Sequence, residues 1–284
     1  MPINNTEATM RVDYSDEWHK DFERETSMLK PTVNSTGIVR AKTVTFDTAS
    51  VTGRAKTRQR DGELPYSRPD TNQVSKDLYE HFEPYIIDDW DLFRNNSETR
   101  ALYMQKARAV VYREMDQMIV DELDQTTVEL NSGSAIAFSQ LSTFLTWTTT
   151  LWNNDVPADG NVYGLVTPAA WAQMMRIPEF KSSDYTVVKR ADEGAPMQGE
   201  MRSWMGVKWM MFTGLTGHGT ATASCYIYHK SAIGHKDDGN PTFMAGYDDK
   251  NDQHWCWARV RHCAKAILTR GIVRAVHDDT AAFA

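Results

Sequence analysis

The chain has 284 residues and only three cysteines, Cys225, Cys256 and Cys263. They form neither a C-x-x-C pair nor a repeating pattern, which excludes a disulfide framework and leaves reduced, buried thiols as the reading. No run approaches the roughly 18 to 20 apolar residues of a membrane span. The first residues, MPINNTEATMRVDYSDEW, lack the basic start and apolar stretch of a secretory signal. Positive charge is also short: 31 Lys and Arg against 38 Asp and Glu give a net charge of −7. That balance argues against a protein whose main task is gripping nucleic acid, because such binding is driven by phosphate neutralisation. A chain made and kept in a cytoplasm fits these absences, and 41% hydrophobic residues suffice for a real core.

Catalytic and ligand-binding patterns are missing as well. His254, Cys256, His262 and Cys263 are close in sequence, but strand geometry sends His262 and Cys263 to opposite faces, and nothing nucleates a tetrahedral site. The glycines of GLTGHGT lack the strand, order and helix of a dinucleotide fingerprint, and no phosphate loop occurs. Asp88, Asp89 and Asp91 precede a long helix, whose dipole attracts acids. HKDDGNPTF and GYDDKND lack calcium-loop spacing and read as turns. No catalytic residue, metal or cofactor is expected.

What is present begins with a polar arm over 1–36, in which Trp18 and Phe22 lie four apart behind a candidate Ser15 cap. The arm is too polar to bury itself, so those aromatics call for another surface. A charged stretch, GIVRAKTVTFDTASVTGRAKTRQRDGELPYS, follows. Its first part has strand character through Val39, Lys42, Val44 and Phe46. The second carries Arg54, Lys56, Arg58 and Arg60 at alternate positions, so a strand there would have one wholly cationic face. A hairpin of that kind has little of its own to bury, and its charge suits an acidic protein surface.

Downstream, SKDLYEHFEPYIIDDWDLFRNN reads as an extended segment leading to a helix over Ser97–Gln125, with Leu102, Ala107, Val110 or Val111, Met115, Met118, Ile119 and Leu123 on one stripe. A second helix is predicted from about Ile136 to Trp152, with Leu141, Phe144, Leu145, Thr148, Leu151 and Trp152 on one side. Then comes a strand at Val162–Val166, with Thr167 capping a helix that starts at Pro168. Lys181 to Gly199 is loop-like. WMGVKWMMFTG and ATASCYIYHK read as strands around the glycine-rich turn Gly214–Gly219. The β-rich end puts Cys256, Ala258, Val260 and His262 on one face and Trp255, Trp257, Arg259 and Arg261 on the other. So long a strand must pair with segments flanking the long helix, which makes one domain discontinuous.

This order of parts resembles the major capsid proteins of tailed double-stranded-DNA bacteriophages, the α+β Hong Kong 97-like shell fold that encapsulins share. The likeness is carried by SMLKPTV, RQRDGELPYS, YIIDDWDLFRNNSETRALYMQKARAVVYREMDQMIVDEL, DVPADGNVYGLVTPAAWAQMM and ILTRGIVRAV. It implies an N-terminal arm over 1–36, an extended β-hairpin loop over 37–69 lying on a neighbouring subunit, and a peripheral domain over 70–130 with its spine helix. An axial domain over 131–235 and a return to the peripheral domain over 236–284 complete the chain. The implied function is a non-enzymatic virion shell protein that self-assembles into hexamers and pentamers around double-stranded DNA, which it contacts non-specifically. An encapsulin-like nanocompartment is the alternative. Lys42, Arg54, Lys56, Arg58 and Arg60 of the loop, with Trp18 and Phe22 of the arm, would contact neighbouring copies. Scaffolding, portal and decoration proteins are further partners the resemblance implies, with no membrane and with assembly in the host cytoplasm.

Overall fold

A computed structural model describes residues 24, 26–50, 54–58, 60–63, 66–88, 99–181, 187–189, 201–239 and 241–281. Trp18, Phe22, Ser97, Asp89 and Asp91 lie outside the described residues. Among the described residues thirteen strands, β1 to β13 in chain order, form three sheets.

The first sheet is the order β1 (Ile38–Arg40), β2 (Thr43–Ser50), β3 (Asp70–Asp77). A turn with Ala41 at φ 54° breaks the predicted first strand in two. In the second sheet the long β12 (Gln253–Ala266) bonds to β4 (Tyr79–Asp88), β10 (Ile233–Asp237) and β11 (Thr242–Asp248), all antiparallel. The third follows the order β13 (Ile272–His277), β9 (Ala223–His229), β5 (Val162–Val166), β8 (Val207–Met211), β7 (Met201–Trp204), β6 (Val187–Lys189), with only β5 and β8 parallel.

The helix α1 (Thr99–Leu123) has 25 residues and is about 37 Å long. Its Ala107, Val111 and Met115 pack on Ala258 and Val260 of β12. Nearer its end, Ile119, Val120 and Leu123 enter a second cluster with Met28, Leu29, Val33, Tyr226 and Tyr228. The predicted alternation of β12 holds: Cys256, Ala258, Val260 and His262 are the buried face. The predicted pairing with a segment flanking the long helix is also found, since β4 precedes α1 directly. The return of the chain is split, however. Residues 236–284 do not all rejoin this sheet, because β13 pairs with β9 in the six-stranded sheet.

The helix α2 (Leu141–Trp152) starts later than predicted. The Ile136 N–H donates to Val276 O at 2.9 Å and the Phe138 N–H to Gln173 Oε1 at 3.1 Å, so that stretch runs extended along β13. Phe144, Trp147, Thr148 and Leu151 are buried, whereas Leu145 faces solvent. Trp147 takes the place expected for it, packing beside Phe138 and Trp209 and donating its Nε1–H to Val273 O at 3.2 Å. The threonine run is accommodated because Thr146, Thr148 and Thr150 each donate a hydroxyl to the carbonyl four residues back. Val162–Val166 is buried throughout, and Thr167 Oγ1 accepts from the Ala170 N–H at 3.2 Å to cap α3 (Pro168–Met174), as the sequence predicts; a short α4 (Pro178–Lys181), not expected, follows. WMGVKWMM is a hairpin instead of one strand: Met205 and Gly206, at φ 55° and 76°, form the turn between β7 and β8.

Candidate assembly surface

The loop strands pair over eight residues, from Thr43 opposite Asp77 to Ser50 opposite Asp70. Only their root is buried. Val44 and Phe46 pack with Cys263, Val39, Leu78 and Ile267, and beyond Phe46 no residue of β2 is buried. The Phe46 ring is gripped by two glycines: a Cβ on Gly234 would lie 2.4 Å from it, and one on Gly37 2.6 Å. Backbone alone fits that closely. Among the described residues the ladder runs no further than Ser50 opposite Asp70.

The cationic stretch is therefore not a strand, contrary to expectation. Residues 54–58 lie outside any ladder, and Arg58 donates Nε–H to Gly62 O at 2.6 Å across the tip. Alternation alone does not make a strand, which also needs a partner edge, and among the described residues none pairs with 54–58. Arg54, Lys56, Arg58 and Arg60 are exposed, and none is ion-paired among the described residues; Tyr66 is 86% exposed beside them. Lys42 differs. It sits at the root in the turn between β1 and β2 and already pairs with Asp77 at 3.2 Å. Hydrogen bonding from Thr43, and then from Lys42, pulls the Asp77 carboxyl below its ordinary range.

Two buried carboxylates of α1 hold the chain at the base of the loop, Asp116 the segment that leads into it and Glu122 the β3 leg. Asp116 accepts from Ser27 Oγ at 2.6 Å, the Met28 N–H at 3.1 Å and the Leu29 N–H at 3.0 Å. Burial pushes its pKa up, while those bonds and the charge of Arg24 pull it down. Glu122 accepts from Lys76 of β3, from Lys265 Nζ at 3.4 Å and from the Ala266 N–H at 3.1 Å. Between the two, Lys30 pairs with Asp237 at 2.5 Å, and Asn34 bridges β10 through the Asn34 N–H to Ile233 O and the His235 N–H to Asn34 O. The chain thus threads from α1 across β10 into β1. Sequence reading missed Asp116 and Glu122, although both fall on the stripe of Ile119 and Leu123 or beside it, where an acid signals a buried partner.

Glu122→Gln keeps the shape and removes the charge. A hydrogen bond to a charged group contributes about 1.5–3 kcal/mol, so this change should lower stability by about 2 kcal/mol in urea unfolding and speed hydrogen exchange in β3. An unchanged midpoint would show that Lys76 is not held by Glu122.

A second exposed feature is the outer face of the four-stranded sheet, where Phe82 (49%), Ile86 (67%) and Met244 (52%) are open and Phe82 meets the Trp257 ring at 5.3 Å. The cysteines are free and buried, and burial pushes Cys225 to about 12 and Cys263 to about 11. Among the described residues no group of three His, Cys, Asp or Glu side chains is arranged to hold a metal ion.

A family model described as phage capsid protein matches residues 6–275. No curated protein sequence matches the chain. Solved structures do. The capsid of cyanophage P-SCSP1u is 11% identical with a TM-score of 0.73, covering 96% of this chain and 94% of its own. A structure from Mycobacterium phage Che8 is 17% identical at TM-score 0.68, covering 99% and 100%. The virus-like particle of Pyrococcus furiosus is 9% identical at TM-score 0.58, covering 87% and 91%. The shared architecture is the Hong Kong 97-like shell fold.

Proposed function

From the premise that the chain belongs to the phage capsid protein family, we propose that its loop, residues 37–69, lies over a neighbouring copy within hexamers and pentamers of an icosahedral head enclosing double-stranded DNA. The protein is a major capsid protein, located in the virion. One observation carries the reading of the loop: a hairpin buried only at its root, with its β3 leg held by Glu122 and the segment leading into it held by Asp116, that presents four cations without a carboxylate partner among the described residues.

Arg54, Lys56, Arg58 and Arg60 meet carboxylates of the neighbour. Each exposed pair contributes only about 0–1 kcal/mol, but it recurs at every contact of a closed shell. Lys42, engaged with Asp77, braces the root and contacts the neighbour less. Trp18 and Phe22 anchor the arm on an adjacent subunit. Residues 70–130 with 236–266 make the peripheral domain, and 131–235 joined by β13 make the axial domain. Assembly takes place in the host cytoplasm, with portal, scaffolding and decoration proteins as further partners. The acidic chain suits a container that encloses DNA without gripping it. Among the described residues no helix is long and apolar enough to cross a membrane. The encapsulin-like alternative is less supported, since the family match is to phage capsids.

Negative-stain microscopy of the purified chain tests this. Closed icosahedral shells are expected. A compact monomer in solution, with the loop folded back on its own body, would overturn the reading.

A further inference from the structure

Three histidines gather where the loop joins the body. His262 of β12 is fully buried, as is His235 of β10, and His235 Nε2 lies 3.3 Å from His262 Nδ1. The ring of His81, on β4, is 4.8 Å from that of His262. One nitrogen of each ring, His81 Nε2, His235 Nδ1 and His262 Nε2, is buried without a hydrogen-bond partner. Among the described residues no carboxylate bonds to His235 or His262. From α1, Glu114 reaches only His81, at 3.4 Å, while Asp116 is engaged by Ser27, Met28 and Leu29. From the leading segment and β10, Lys30 and Asp237 face the pair but bond to each other.

We propose that His235 and His262, with His81 at their edge, form an acid-sensitive joint whose protonation loosens β10 from β12 and so releases the root of the loop. The proposal concerns one chain and holds whether or not the loop docks on a neighbour. The His235–His262 hydrogen bond needs one ring to accept, so it tolerates one added proton and is lost with two. Loosening then reaches the loop by backbone. His235 N–H donates to Asn34 O, ahead of β1, and Gly234 is the floor under Phe46.

The sign follows from burial, which depresses His235 to about 4 and His262 to about 3, while in an opened joint both return to about 6.5. The contribution of these groups is complete above about 6.5 and is lost progressively as pH falls toward 4 and then 3. Within that window each histidine multiplies the opening equilibrium by up to about tenfold per pH unit.

Hydrogen exchange of the purified chain between pH 6 and 4, corrected for intrinsic rates, tests the joint. Amides of β10 and of residues 262–266 should open up to about 100-fold more per pH unit, while those of β8 stay flat. His235→Gln or His262→Gln should each cut that slope to about tenfold or less. A flat profile for β10 in the native chain overturns the proposal without any variant, as does a slope that neither substitution changes.

Discussion

Replacing Asp116 by alanine should lower the stability of the folded chain by about 3 kcal/mol or more, and replacing it by asparagine should cost clearly less. The alanine variant leaves the Met28 and Leu29 N–H groups without an acceptor, because both bond to this carboxylate inside the body. A buried donor left unmade costs about 1–3 kcal/mol, and here two are orphaned together. Asparagine keeps one oxygen, which can serve Ser27 and Leu29, but turns an amide N–H₂ toward the Met28 N–H. The loss is in donors satisfied more than in charge. Burial already holds the Asp116 pKa above the ordinary carboxylate value. A carboxyl raised in this way favours the folded state as pH falls, so Asp116 cannot cause loosening on acidification. Urea unfolding with an unchanged slope measures the difference. Equal losses for both variants, or a loss below about 1 kcal/mol for alanine, would mean that Ser27–Leu29 find other acceptors and that the leading segment is not held by α1.

Much of this scaffold is legible in the sequence, and what is not has definite causes. Periodicity marks α1 and the faces of β12 because each keeps one apolar face turned to the core, and the Thr167–Pro168 cap is a local signal that packing does not overturn. The start of α2 is misplaced because the donors of Ile136 and Phe138 are claimed by β13 and Gln173, residues distant in sequence. The cationic alternation of the loop mimics a strand, yet a strand needs a paired edge as well as a period, and among the described residues none pairs with 54–58. β13 reads as the end of the chain's last sheet, while its hydrogen bonds go to β9. Of the candidate contact residues, the four tip cations are found exposed together, and Lys42 is found apart from them and paired. The placing of Asp116 and Glu122 on or beside the stripe signals buried partners, but not which ones, because a stripe does not say which segments cross the helix.

Reversing the tip charges should separate folding from assembly. A variant with Arg54, Lys56, Arg58 and Arg60 all replaced by glutamate is expected to unfold in urea within about 0.5 kcal/mol of the native chain, since exposed substitutions away from packed features change stability by about that much. None of the four is paired with a carboxylate among the described residues, and the ladder they follow ends before them. The yield of closed shells should nevertheless fall by tenfold or more, because every contact in the shell would set like charges together. The corresponding glutamine variant removes the attraction without adding repulsion, and should fall between the two. Lys42→Glu gives the contrast: it breaks the exposed pair with Asp77 inside one chain, with a stability loss of about 0–1 kcal/mol and a smaller effect on assembly. Salt supplies an independent axis, since screening over about 10 Å at 0.1 M ionic strength weakens surface pairs. Native assembly should weaken as salt rises, while the glutamate variant, relieved of repulsion, should recover in part. Shells formed by the glutamate variant at native yield would show that the tip touches no acidic surface. The loop would then owe its place in the shell to its buried root, or to the aromatic Tyr66, and its cations would serve only solubility.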